Sequence, residues 1–380
     1  MEKIHVGFIV EGYPTEKDPI MPFIKNTVAE MAKQGVRCSV IAPQSFTRAF
    51  IHKVPLRPKH WQDIIENQII VDVYQPYYIS FSGRAGMINR YLFFKAAKHA
   101  YKCNLKNYVK VLYGHFWHMG VVASKVDSSK PLFVACGESK IDVLNQYTKS
   151  DIEKMLNQLT GVIYVSTKSY DEAVKLGLQK EQTEYRILPN GYDGKIFQYK
   201  EKKEVRKKIG WDLDWIVAIF VGAFIDRKGP NRVAQALNEI NKSRMVFSCF
   251  IGTGSLEPIC KNQIFIGKVP HDKLSDYLCA SDMFVLPTTN EGCCNAIIEA
   301  MACGLPIISS NRDFNSDILG DDNSIQIDPM DTSAIQNAIL ELVNDEKKRQ
   351  KLSKASLDRA KELNIKTRVE NIIEFIRRSV

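Results

Sequence analysis

Two glutamates eight positions apart and one adjacent Arg-Lys pair are the residues of this chain best suited to grip an anionic, hydroxyl-rich ligand. Glu291 lies in a polar stretch, Thr288 to Cys294, and Glu299 falls just over one turn into the helix that should follow. Arg227 and Lys228 sit in the turn Gly222-Ala-Phe-Ile-Asp-Arg-Lys-Gly229. An arginine holds phosphate in a planar fork and a lysine adds a point charge, while carboxylates accept hydrogen bonds from sugar hydroxyls. Together these groups suit a sugar nucleotide. A glycosidase pair fits less well. It needs two carboxyls facing each other across a bond, and here one is on a loop and the other on the helix that loop begins.

The elements that must position these residues are legible around them. Met283 to Leu286 is a short apolar run closed by Pro287, as for a buried strand. Asn295 is expected to cap a helix over 296–302, with Gly304 just past its end and Pro306 to Ser309 forming the next strand. A strand feeding a helix N-terminus presents free backbone N–H groups and a positive dipole end, so Gly292, Cys293, Cys294 and Asn295 form an anion-ready turn. Ile216 to Val221 is a buried strand, so Arg227 and Lys228 fall at its carboxyl end, where open α/β sheets bind ligands. Gly252-Thr-Gly254, after the strand Met245 to Ile251, lacks the third glycine of a dinucleotide fingerprint. No GxxxxGK[ST] phosphate loop occurs. Asp212-Leu-Asp214 resembles a metal-holding DxD triplet but precedes its strand, and reads as a solvated turn.

Strand, loop and helix alternate through both halves. Ile4 to Val10, a helix from Ile20, Val36 to Ala42, Ile69 to Tyr74, Val109 to Tyr113, Pro131 to Cys136 and Gly161 to Val165 make a first parallel set. The charged stretch 198–212 breaks the pattern after Pro189-Asn-Gly-Tyr-Asp193, and a second set begins at Ile216. Two doubly wound α/β halves with a helical tail are expected. The division is drawn as 1–190 with 366–380, and 191–365. The last helix is read as starting at a Thr367–Glu370 capping box.

The stretch Glu291-Gly-Cys-Cys-Asn-Ala-Ile-Ile-Glu-Ala-Met-Ala-Cys-Gly-Leu-Pro306 resembles the E-x7-E signature of glycosyltransferase family 4, retaining enzymes of the GT-B fold that use nucleotide sugars. Val221 to Gly229, Ile251 to Gly254, Ile266 to Pro270 and Ser166 through Asp193 are similar to further motifs of that family, in the same order. The resemblance implies two Rossmann-like domains facing a cleft, with the last helix crossing back onto the first. It implies that Arg227 and Lys228 neutralise the diphosphate and that Glu299 binds the ribose. Glu291, with the amides of Gly292 to Asn295, would hold the donor sugar and distal phosphate. Gly222, Gly252 and Gly254 would line the donor site, and Val269 would lie near the base. No metal or other cofactor is implied beyond the nucleoside diphosphate sugar itself. The amino-terminal half departs more from the family. Cys136 stands where a histidine commonly faces the donor sugar, and Gly12, His115 and Glu138 are the acceptor-side candidates.

Composition narrows the partners. The chain has 380 residues, 45% of them hydrophobic and 25% charged, with nine scattered cysteines read as reduced thiols. No apolar run is long enough for a signal or a membrane span, and a cytoplasmic protein is expected. The net charge of +9 is concentrated, since no acidic residue occurs between Asp72 and Asp127. Arg84, Arg90, Lys95, Lys98, Lys102 and Lys106 fall in that span, interleaved with Tyr91, Phe93, Phe94 and Tyr101 on an expected helix over 87–106. Such a helix either leaves its lysines in water or lays them on the anionic inner face of a membrane. No nucleic-acid motif is present. The expected function is transfer of a sugar to a lipid-linked glycan of a capsule, O-antigen or similar polysaccharide. A sugar-nucleotide epimerase and a non-catalytic sugar-nucleotide-binding partner are the alternatives.

Overall fold

The computed structural model describes residues 4–15, 20–82 and 85–380. The chain divides into two compact units. One holds Met1–Val165, Ser169–Leu188 and Val369–Val380, the other Ser166–Lys168 and Pro189–Arg368.

The first unit runs β1 (His5–Ile9), α1 (Pro22–Lys33), β2 (Arg37–Ile41), β3 (Gln44–Ser45), α2 (Phe46–His52), β4 (His60–Ile65), β5 (Ile69–Tyr74) and β6 (Tyr77–Tyr78). It continues with α3 (Gly86–Asn104), β7 (Val111–His115), α4 (Trp117–Val126), β8 (Leu132–Cys136), α5 (Val143–Gln146), α6 (Lys149–Gln158), β9 (Leu159–Tyr164), α7 (Thr167–Lys175) and β10 (Glu184–Ile187). Eight strands form one sheet in the order β10-β9-β8-β7-β1-β2-β5-β4. All its pairings are parallel except β4 with β5. The central strands β1 and β8 are buried at every residue, which is why they read as unbroken apolar runs. Since β1 pairs with β2 on one side and β7 on the other, the strand order reverses there.

The second unit runs α8 (Lys202–Ile209), β11 (Val217–Val221), α9 (Pro230–Ile240), β12 (Phe247–Ile251), β13 (Gln263–Gly267), α10 (His271–Ala280) and β14 (Met283–Leu286). After these come α11 (Asn295–Ala302), β15 (Ile307–Ser310), β16 (Ser324–Ile327), α12 (Thr332–Asn344) and α13 (Glu346–Ala360). Its six-stranded parallel sheet has the order β13-β12-β11-β14-β15-β16, so the reversal lies between β11 and β14. The last helix, α14 (Ile365–Arg378), passes from the second unit into the first. There Phe375 packs edge-on against Phe133, with ring centroids 5.4 Å apart.

Two expectations about helix starts are corrected. Helix α14 begins at Ile365, so Thr367 is inside it and forms no capping box with Glu370. The N-cap of α11 is Cys294 rather than Asn295, and no side chain caps that helix. The Asn295 carboxamide is instead engaged by Asn190, whose Nδ2 donates to Oδ1 at 2.8 Å. The charged stretch 198–212, where the alternation breaks, contains α8.

Candidate functional site

The second unit gathers its charged residues at the reversal point of its sheet. After β11 the chain turns through Gly222 and a single 3-10 turn, Asp226–Lys228, before Gly229 and Pro230 start α9. After β14 it runs through Thr288 to Glu291. Because β11 and β14 are neighbours, the two loops meet: Thr289 N donates to Arg227 O at 2.8 Å. Arg227 Nη1 and Lys228 Nζ both reach Glu291 Oε1 at 2.6 Å, and Thr288 Oγ1 donates to the same oxygen at 2.8 Å. Arg227 also donates to the Asn290 carbonyl. One buried carboxylate oxygen thus organises two cations at the carboxyl ends of two adjacent strands, where ligands bind in open α/β sheets. Burial opposes the charge on Lys228, but the neighbouring Cys294 and Glu291 outweigh it, so its pKa is raised and the ammonium persists.

The glycine turns admit backbone to the same edge. Gly252 has φ +153°, and a Cβ there would run into the Gly222 carbonyl oxygen. A Cβ on Gly254 would meet the Phe224 carbonyl. Gly252 N donates to Gly267 O at 2.9 Å, tying this turn to the end of β13. Val269, partly buried, lies two residues further on, against the core of this unit. His271, the first residue of α10, places Nε2 3.3 Å from Glu299 Oε1 on α11, and that contact raises the imidazole pKa. Gly292 and Cys294 are buried, and Cys293 is partly so, in the turn before α11.

Several participants escaped the sequence reading. Lys168 Nζ donates to Asn290 Oδ1 at 2.6 Å and to Glu291 O at 3.0 Å, fastening the glutamate's loop. Asn190 N reaches Cys293 Sγ at 3.4 Å. Arg232 donates to Pro287 O and Asp226 O, bracing both loops. Lys168 and Asn190 are each more than 100 residues from the loop they hold, so spacing gave no signal beyond their membership of the Ser166–Asp193 segment. Asp212 caps its own turn by accepting from Asp214 N. No group of three His, Cys, Asp or Glu suited to a metal occurs among the described residues.

On the first unit, Gly12 lines a cavity at the carboxyl ends of β1, β2 and β5, while His115 and Glu138 are not among its lining residues. His115 packs on Phe23 and Phe116. Glu138 Oε1 accepts from Trp117 N at 2.6 Å, satisfying an amide at the start of α4 where Phe116, with φ 76°, provides no side-chain cap. Burial raises the Glu138 pKa and drives the Cys136 thiol still further up. On α3 Lys98 folds back to donate to Lys125 O, while Lys95 and Lys102 are exposed, as is Lys106 past the helix end. Arg84 lies outside the described residues.

Residues 201–359 match the family described as glycosyl transferases group 1. This span is a group 1 glycosyl transferase domain. It contains Arg227, Lys228, Glu291 and Glu299 and covers most of the second unit. Across nearly the whole length, the chain is 28% identical to the putative teichuronic acid biosynthesis glycosyltransferase TuaC of Bacillus subtilis, over 87% of each chain. Among solved structures, sucrose-phosphate synthase from Thermosynechococcus elongatus superposes with a TM-score of 0.78 at 17% identity, over 99% of each chain. Anabaena HepE in complex with UDP and glucose does so with a TM-score of 0.71 at 14% identity, over 99% of this chain and 100% of that one. The group 1 domain and the parallel-sheet unit before it therefore have the GT-B fold.

Proposed function

We propose that the protein transfers a sugar from a nucleoside diphosphate sugar to a lipid-linked glycan in cell-surface polysaccharide assembly, with retention at the anomeric carbon. The observation that carries this is the convergence of Arg227 and Lys228 on Glu291 at the reversal point of the group 1 domain. As the glycosidic bond to the diphosphate breaks, negative charge grows on the leaving group. Two fixed cations beside the start of α11 stabilise that charge without reorganising. Glu299 accepts from the ribose hydroxyls, and Glu291 holds the loop whose amides face the distal phosphate. If the acceptor attacks on the face the diphosphate leaves, a phosphate oxygen takes the acceptor proton and configuration is retained. The basic pair serves where other transferases use a divalent ion.

A polysaccharide role accords with the relative named for teichuronic acid biosynthesis, and UDP in the HepE complex accords with a nucleotide donor. For a lipid-linked acceptor the support is local. Phe50, Ile51, Met87 and Tyr91 stand exposed on α2 and α3, helices that border the cavity of the first unit. Exposed apolar side chains of this kind beside the cavity support a lipid-facing acceptor.

The test is a panel of nucleoside diphosphate sugars, assayed for binding and then for transfer to a lipid-linked glycan in vesicles and to its water-soluble counterpart. The Arg227→Ala/Lys228→Ala variant should lose at least ~10³-fold in transfer. Wild-type turnover in that variant would falsify the assignment. Equal rates on the two acceptors would remove the lipid part. Isomerised donor without acceptor would favour an epimerase, and binding with no transfer would favour a non-catalytic partner.

A further inference from the structure

The first unit holds a cavity of 680 Å³ beside the reversal point of its own sheet. Its wall mixes apolar side chains, among them Ile20, Met21, Phe93 and Met119, with an uneven set of charges. Among the described lining residues there are three arginines, Arg48, Arg57 and Arg90, and one carboxylate, Glu11. That carboxylate is already matched. His118 Nε2 stands 2.7 Å from Glu11 Oε1, and the contact lowers the Glu11 pKa, with Arg48 adding to the effect. Two of the arginines are held in place. The Arg90 guanidinium lies over the Tyr147 ring, 5.4 Å from its centroid, and Arg57 donates to the Tyr13 carbonyl. A cavity of this size admits one or two sugar rings, and among its described lining residues three arginines outnumber the single carboxylate, so its net charge is positive. Planar guanidinium forks fit carboxylate and phosphate oxygens in pairs, which a neutral hydroxyl does not reward.

We propose that this cavity selects an acceptor whose sugar carries an anionic group, carboxylate or phosphate, gripped by Arg48 and Arg90 beside the Glu11–His118 pair. The proposal rests on the transferase reading only for the word acceptor; the anion preference stands on the cavity itself. Arg57, tied to the Tyr13 backbone, steadies the wall.

The experiment is calorimetric titration of the intact protein with three probes: D-glucuronate, glucose 6-phosphate and glucose. At least one anionic sugar should bind at least about tenfold more tightly than glucose, a difference of ~1.4 kcal/mol. Which of the two wins identifies the carboxylate or the phosphate as the recognised group. In Arg48→Gln/Arg90→Gln that advantage should disappear. Arg90→Lys, which keeps the charge but loses the fork, should retain only part of it. Fluorescence of Trp61 and Trp117, read in a Trp211→Phe/Trp215→Phe background, checks that the first unit of each variant is folded. Glucose binding as tightly as both anionic sugars, or an anion preference unchanged in the double variant, overturns the proposal. Failure of UDP and every other nucleoside diphosphate to bind would instead remove the transferase reading and leave the anion result standing.

Discussion

Glu291 presents a conflict that its neighbours make explicit. One of its oxygens accepts from Arg227, Lys228 and Thr288 at once, so the cations meant for a diphosphate are already partly neutralised. A diphosphate must share them with this carboxylate. Replacing Glu291 with Gln keeps the shape and removes the charge, so UDP should bind more tightly, by roughly 3- to 10-fold for one fewer competing anion. Transfer should nevertheless fall by ~10²-fold, because the loop and the sugar lose their carboxylate. Titration with UDP and a turnover assay separate the two effects. Weaker UDP binding in Glu291→Gln would mean that the carboxylate positions the cations rather than competing with the ligand. At this scale the sequence reveals those residues whose chemistry follows a strand directly: Arg227 and Lys228 after β11, Glu291 after β14, Glu299 one turn into α11. It hides Lys168, Asn190 and His271, whose contacts come from chain that folding brings alongside.

The elements show the same division for a different reason. Interior strands such as β1, β11 and β14 are covered on both faces, so their apolar runs stand out in the sequence. Edge strand β4 alternates exposed and buried residues and carries His60, Gln62 and Asp63, which blurs it. Helix α8 was hidden by its charge. In the sequence Lys202 to Ile209 stands out only as part of a charged stretch, yet its cations are fastened to two aspartates elsewhere in the group 1 domain. Lys208 and the preceding Lys200 each pair with Asp276 at 2.7 Å, Lys202 with Asp282 at 2.6 Å, and the fully buried Arg206 with Asp282 at 2.7 Å. Arg206 also donates to the carbonyls of Ala280, Leu213 and Trp215, and Asp282 accepts from Val217 N on β11. Surface members of this set add little, but the Arg206–Asp282 pair is out of water. Asp282→Ala leaves a buried guanidinium without its counter-charge and should cost about 3–5 kcal/mol, read as a lower urea midpoint for the second unit. Lys207→Ala, whose side chain pairs with Glu204 on the surface, is the control and should change stability by less than about 0.5 kcal/mol.

At the scale of the whole molecule, the two units place their candidate sites by one rule, at the carboxyl ends of strands where the order reverses, but they differ in how they respond to acid. In the first unit His5 begins the central strand β1, buried, with Nε2 2.9 Å from Ser39 Oγ on β2. Burial, helped by the nearby Arg37, depresses its pKa to about 4 from an ordinary value of 6.5. Between those two values the unfolded chain binds a proton that the folded chain refuses. The stabilisation is therefore complete above pH 6.5 and is lost as pH falls toward 4, by at most ~3 kcal/mol. The four tryptophans allow this to be read in one unit, since Trp61 and Trp117 lie in the first and Trp211 and Trp215 in the second. In a Trp211→Phe/Trp215→Phe background, the urea midpoint followed by fluorescence should drop steeply between pH 6.5 and 4. Adding His5→Gln, which keeps a hydrogen-bonding group toward Ser39 but no titrating one, should flatten that drop while leaving the pH 7.5 midpoint nearly in place. A drop between pH 6.5 and 4 that His5→Gln leaves unchanged would overturn this assignment, because the carboxylates held low in the same unit, such as Asp127 and Asp151, give up their stabilisation mainly below about pH 4.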